Sequence, residues 1–73
     1  MLHRHKVEED LSPAETLSFH RIAYGVARAI PVGHRAMLID MGLAHFDDLG
    51  ILVLTEAGWQ RYERETARRV RAV

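Results

Sequence analysis
The stretch from Met41 to Gly58, M-G-L-A-H-F-D-D-L-G-I-L-V-L-T-E-A-G, leaves this chain few folds to choose from. Gly42 follows an apolar helical run, at the place where a helix commonly ends in a left-handed residue that glycine adopts without a Cβ clash. Leu43–Phe46 reads as a short strand. Asp47-Asp48-Leu49-Gly50 is turn chemistry: the aspartates can bond their own backbone and the glycine is free to take positive φ. Ile51–Leu54 is β-rich, apolar and too short for a helix. Thr55 can cap a new helix, with Glu56 in its first turn where the helix dipole favours a negative charge. The stretch therefore predicts helix, hairpin, helix.

Upstream, Ser12-Pro13-Ala14-Glu15 is a helix start. Ser12 can cap, Pro13 suits the first helical position, and Glu15 can complete a capping box. Phe19, Ile22, Ala23 and Val26 then recur at helical spacing as one apolar stripe, with Arg21 and Arg28 opposite. Leu17 and Tyr24 fall on the outer side. A break at Gly25, with Val26–Ile30 as a separate short turn, accounts for that imperfect pattern. Ile30 precedes Pro31, which disfavours helical geometry there. Val32–Met41 is the next helix. Val32, Ala36, Ile39 and, just past the end, Leu43 line one side of it; His34, Met37, Leu38 and Met41 line another.

Downstream, Thr55–Ala72 reads as a long closing helix. Trp59, Tyr62, Thr66, Val70 and Val73 form its packing stripe, with the Trp59 ring expected in the core near the hairpin. Arg61, Arg64, Arg68 and Arg71 fall on the opposite side, and Glu65 can pair with Arg69 at i+4. Residues 1–10 are expected to be a flexible charged arm carrying Arg4 and Lys6, and residues 11–73 a single domain.

The order "helix, M-G-L-A, turn, G-I-L-V-L-T-E-A-G, helix" resembles the end of a winged helix-turn-helix domain, with likeness over roughly residues 12–66. The resemblance implies an α+β, mostly α, winged-helix-like fold: helix, short helix, helix, β-hairpin and long C-terminal helix. It is an abbreviated version, because Val26–Ile30 must stand in for the second of the three helices that precede the wing. Val32–Met41 then occupies the recognition-helix position.

At 73 residues the chain is near the lower limit for an independent core. It has no cysteine, so neither disulfides nor thiolate chemistry enter. No apolar run approaches the ~20 residues needed to cross a bilayer. The charged N-terminus has no apolar segment behind it. A cytoplasmic location is the expectation. The histidines, including the His3/His5 pair, have no acidic or Cys partner at metal-ligand spacing, so neither metal nor cofactor is expected. No phosphate-binding glycine loop, H-E-x-x-H or G-x-S-x-G occurs, and no acidic pair is placed for general acid/base work, so the chain does not read as an enzyme.

Two functions remain. The first is a small protein-interaction module of adaptor, antitoxin-like or inhibitor type, docking on a protein or larger complex and able to homodimerise. Its contact residues would be His34, Met37, Met41, Ile51 and Val53: the second sticky side of the Val32–Met41 helix and the outward face of the hairpin. The second is a DNA-binding transcriptional regulator that meets phosphates through Arg35, Arg61, Arg64, Arg68 and Arg71. The net charge is zero with histidines neutral. A helix in the recognition position with one arginine, and an Asp47-Asp48 tip that phosphate would repel, favour the first.

Overall fold
Ser12 opens the first helix in the computed structural model of the chain, which describes residues 9–71, with side chains to residue 67. Helix α1 spans Pro13–Tyr24. Both halves of the capping box form: the Glu15 N–H donates to Ser12 Oγ at 3.2 Å, and the Ser12 N–H donates to Glu15 Oε1 at 2.8 Å. Gly25 ends α1 at φ 84°, the left-handed conformation that a side chain would strain. A 3-10 turn follows over Ala27–Ala29, and Pro31 leads into α2, Val32–Asp40. Val26 is consequently not the end of the α1 stripe: the turn at Gly25 leaves it half exposed, and Ile30 enters the core in its place.

Gly42, at φ 80°, turns the chain out of α2. Its N–H donates to Ile39 O at 2.9 Å and the Leu43 N–H donates to Leu38 O at 3.0 Å, the paired bonds that satisfy a helix C-terminus. Strands β1 (Ala44–Phe46) and β2 (Leu52–Leu54) form an antiparallel hairpin with Ala44 opposite Leu54, His45 opposite Val53 and Phe46 opposite Leu52. Helix α3 spans Glu56–Arg71. Among the described residues the fold is thus a small, mostly helical α+β arrangement of three α-helices and one two-stranded sheet. No helix among the described residues is long and apolar enough to cross a membrane. Of the expected arm, only Glu9 and Asp10 are described; Arg4, Lys6, His3 and His5 lie outside the described residues.

The core is Phe19 and Ile22 from α1, Ile30 from the turn, Leu38 from α2, then Met41, Leu43, Ala44, Leu52 and Leu54. Alternation along β2 sends Leu52 and Leu54 inward, as a half-buried strand requires. One junction locks these elements together. The Thr55 N–H donates to Leu43 O at 3.0 Å, and Thr55 Oγ1 donates to Gly42 O at 2.6 Å. The same hydroxyl accepts the Gly58 N–H at 3.0 Å, capping α3. Gly58 lies directly against the Leu43 carbonyl, in space that a Cβ would need.

That contact makes a prediction with an internal control. Gly58→Ala forces helix and hairpin apart and should cost about 2–3 kcal/mol, lowering the melting temperature by roughly 10–20 °C. Gly33, in the first turn of α2, has open space where its Cβ would stand. Gly33→Ala should raise stability by about 0.5 kcal/mol. Thermal unfolding followed by circular dichroism reads both.

Candidate functional site
The rotation of α3 about its own axis decides which charges reach the surface. With Gly58 on the Leu43 carbonyl, positions 61, 62 and 65, which share a helical face with it, turn toward α1. Arg61 is therefore 8% exposed rather than part of an open basic stripe. Its Nε donates to Glu65 Oε2 at 2.9 Å, its Nη1 donates to the Glu9 carbonyl at 2.8 Å, and its guanidinium lies 5.9 Å from the Phe19 ring centroid. Glu65 Oε1 meets His20 Nε2 at 3.0 Å. Three buried or half-buried polar side chains from two helices thus satisfy one another, which offsets the cost of taking a guanidinium out of water. The expected Glu65 partner, Arg69, has its side chain outside those described.

The same rotation corrects the placement of Trp59. It is 43% exposed, and packs edge-on against Tyr62 at 5.8 Å. Tyr62 also meets Phe19, His20 and Tyr24 edge-on, so the aromatic cluster joins α1 to α3 at the margin of the core instead of filling it. Of the four α3 arginines in the nucleic-acid reading, Arg61 is withdrawn into the interior and Arg64 is exposed. The side chains of Arg68 and Arg71 lie outside those described.

Helix α2 is oriented opposite to the expected partner set. Leu38 and Met41 are buried, Met41 at 2%, and Met37 packs against the core. His34 is half-buried, with Nδ1 2.7 Å from the Ser18 hydroxyl. His34, Met37 and Met41 are therefore on the inward side. Val32, at 69%, and Ile39 are the exposed members, with Ala36 between them. The cause is the Ser18–His34 hydrogen bond together with the Leu38 and Met41 contacts, which hold that side of α2 against α1 and the hairpin. Of the two hairpin candidates, Ile51 is exposed and Val53 half-buried.

The exposed side of α2 continues into a cleft. Ala27, Arg28, Arg35, Phe46, Gly50, Ile51 and Leu52 line a depression of about 160 Å³. Its apolar lining comes from the hairpin and the 3-10 turn. Phe46 faces the same side as Leu52 but stands at the turn end of the hairpin, at the margin of the core, and is half exposed. Arg28 and Arg35 flank the cleft, and neither guanidinium has a hydrogen bond or ion pair among the described residues. Beside it stands the turn. Asp47 Oδ1 accepts the N–H groups of Leu49 at 2.8 Å and Ile51 at 2.9 Å, and Gly50 takes φ 77°. This turn holds Leu49 out at 83% exposure, with Asp48 exposed next to it.

The Ser18–His34 pair is the one nucleophile–base geometry that sequence reasoning missed, since the two residues are brought together only by helix packing. Ser18 is buried, so its hydroxyl acts as a tie between α1 and α2. Among the described residues no three His, Asp or Glu side chains cluster to hold a metal ion. Compared with known protein families, with curated proteins and with solved structures, the chain matches none.

The Glu65 network has a pH consequence. Burial raises the Glu65 pKa, but hydrogen bonds from Arg61 and His20 and their positive charges outweigh it and hold the carboxyl below its ordinary value. A folded pKa below the unfolded one contributes stability in full above the unfolded value, and loses it as pH falls through the folded one. Acidification below about pH 4.5 should therefore lower the melting temperature of the native chain more steeply than that of Glu65→Gln. Parallel curves for the two proteins would show that Glu65 carries none of the acid sensitivity.

Proposed function
We propose that this chain is a non-enzymatic docking module on a reduced winged-helix frame, and that it binds protein through the face built by the 3-10 turn, the outer side of α2 and the hairpin. The order of elements supports the frame: helix, short turn, helix, hairpin, long helix. One observation carries the functional reading. Most of the large apolar side chains that the core leaves out among the described residues, namely Val32, Ile39, Phe46, Leu49 and Ile51, stand on the elements that border one cleft. Apolar side chains scattered singly over a surface need no explanation, but a grouped set beside a concavity is the mark of a contact surface.

The contact set is accordingly Val32, Arg35, Ile39, Phe46 and Ile51. It keeps Ile51 from the residues expected for a partner surface and Arg35 from those expected for nucleic acid. A helix in the recognition position that shows water a valine, an alanine and an isoleucine around a single arginine offers little to base edges, where paired donors and acceptors are read. An apolar surface with two arginines at its margin suits a protein interface, whose centre is depleted of charge and enriched in aromatic residues and arginine.

A photo-reactive side chain placed at Val32 or Ile51 and activated in intact cells tests the reading. A discrete protein adduct from both positions, absent when the probe stands at Arg64, is the expected result. Adducts to nucleic acid, or random-sequence duplex binding that falls steeply between low and near-physiological salt, would replace this reading with DNA binding through α3.

A further inference from the structure
We infer that the protein seated in this cleft is a second copy of the same chain, with the hairpin tip of each copy lodged between Arg28 and Arg35 of the other; the inference rests on the docking reading above. Three features of the tip and the cleft match. The first is shape. A cavity of ~150 Å³ holds a group the size of benzene, so the cleft of about 160 Å³ has room for one large apolar side chain. Leu49, the most exposed large apolar residue described, is of that size.

The second is charge. Asp48 sits beside Leu49 on the tip, exposed, and Asp47 is already committed to its own turn. The cleft offers the opposite sign twice, in Arg28 and Arg35. A leucine entering the cleft brings Asp48 to its margin, where a guanidinium makes a charge-assisted hydrogen bond. The zero net charge of the whole chain leaves no overall repulsion between copies.

The third is position. The tip adjoins its own cleft, since Gly50 and Ile51, the residues after Leu49, form part of the lining. A two-fold axis near Ile51 then brings each tip over the other's cleft in the same motion. Both contacts form together and the assembly closes at two copies, as an isologous interface does. The tip needs little ordering on contact: the two bonds to Asp47 Oδ1, the Gly50 N–H to Asp47 O at 2.9 Å and the Asp47 N–H to Ile51 O at 2.9 Å already fix it.

Sedimentation velocity over a concentration series tests the inference on the full chain. The native protein should sediment as a concentration-dependent dimer. Leu49→Asp, at a position open to solvent, should weaken dimerisation at least tenfold with its circular dichroism spectrum unchanged. Arg35→Glu and Asp48→Arg should each sediment as monomers, and an equimolar mixture of the two should recover the dimer. In the mixed pair the substituted cleft of one copy meets the substituted tip of the other with the two charges exchanged, while native Asp48 of the first copy meets native Arg35 of the second. A native chain that is monomeric throughout overturns the inference, as does a dimer that Leu49→Asp and Arg35→Glu leave intact. If that monomeric chain still gives an adduct with a different protein from position 51, the docking reading stands and only the second copy is excluded. If it gives no protein adduct, both fail.

Discussion
The carbonyl of Leu43 is the point from which the rest of the structure is set. It accepts the Thr55 N–H and has Gly58 packed against it, while the Leu43 N–H closes the C-terminus of α2. One residue thereby fixes the end of a helix, the base of the hairpin and the start of α3. The fit depends on an absent side chain at position 58. The close approach of Gly58 goes with the rotation of α3 that carries Arg61 inward against Phe19 and swings Trp59 out. The charge pattern of the surface is therefore a consequence of backbone contact at the junction rather than of the helix's own hydrophobic stripe.

A chain of this size cannot bury all the apolar side chains it carries, because small domains keep much of their surface. Nine of the described residues fill the core. Leu17 and Val26 apart, the large apolar side chains left over among the described residues fall into two sets. One, Tyr24 and Trp59 with the half-buried Tyr62, packs on itself through edge-to-face contacts. The other, on α2 and the hairpin, has no such internal partner among the described residues. It also adjoins Arg28 and Arg35, two cations for which the described chain supplies no acid. An apolar surface with neighbouring uncommitted charge is chemically incomplete on its own, and this asymmetry separates it from the aromatic cluster.

Local chemistry was legible in the sequence where it acts over three or four residues. Ser12-Pro13-Ala14-Glu15 announced its cap, Gly25 its helix break, Gly42 its left-handed turn, Asp47–Gly50 its tight loop, and Thr55 its helix start. These are backbone requirements with a short reach. What could not be read were the choices between two plausible faces. On α2 both sides are apolar, so periodicity alone left open which turns inward; the Ser18–His34 bond spans two helices and has no local signature. On α3 the spacing of Trp59, Tyr62 and Thr66 imitates a packing stripe. The signal that outranks it was present: a Thr-x-x-Gly helix start marks the face at Gly58, and the Arg61/Glu65 pair at i+4 lies on that same face. Volume misled there, since a tryptophan is the larger apolar group, but the smaller residue dictated the approach.

The central claim is that the side chains excluded from the core around Arg28, Arg35 and Ile51 form the surface through which two copies of this chain meet. Amide chemical shifts in a dilution series of the native chain test it most directly, since they report contact residue by residue without any substitution. The account predicts concentration-dependent shifts at Arg28, Arg35, Phe46 and Leu49–Ile51, with Glu63 and Arg64 on α3 unmoved. Shifts confined to α1 and α3, or none at any concentration, would contradict it.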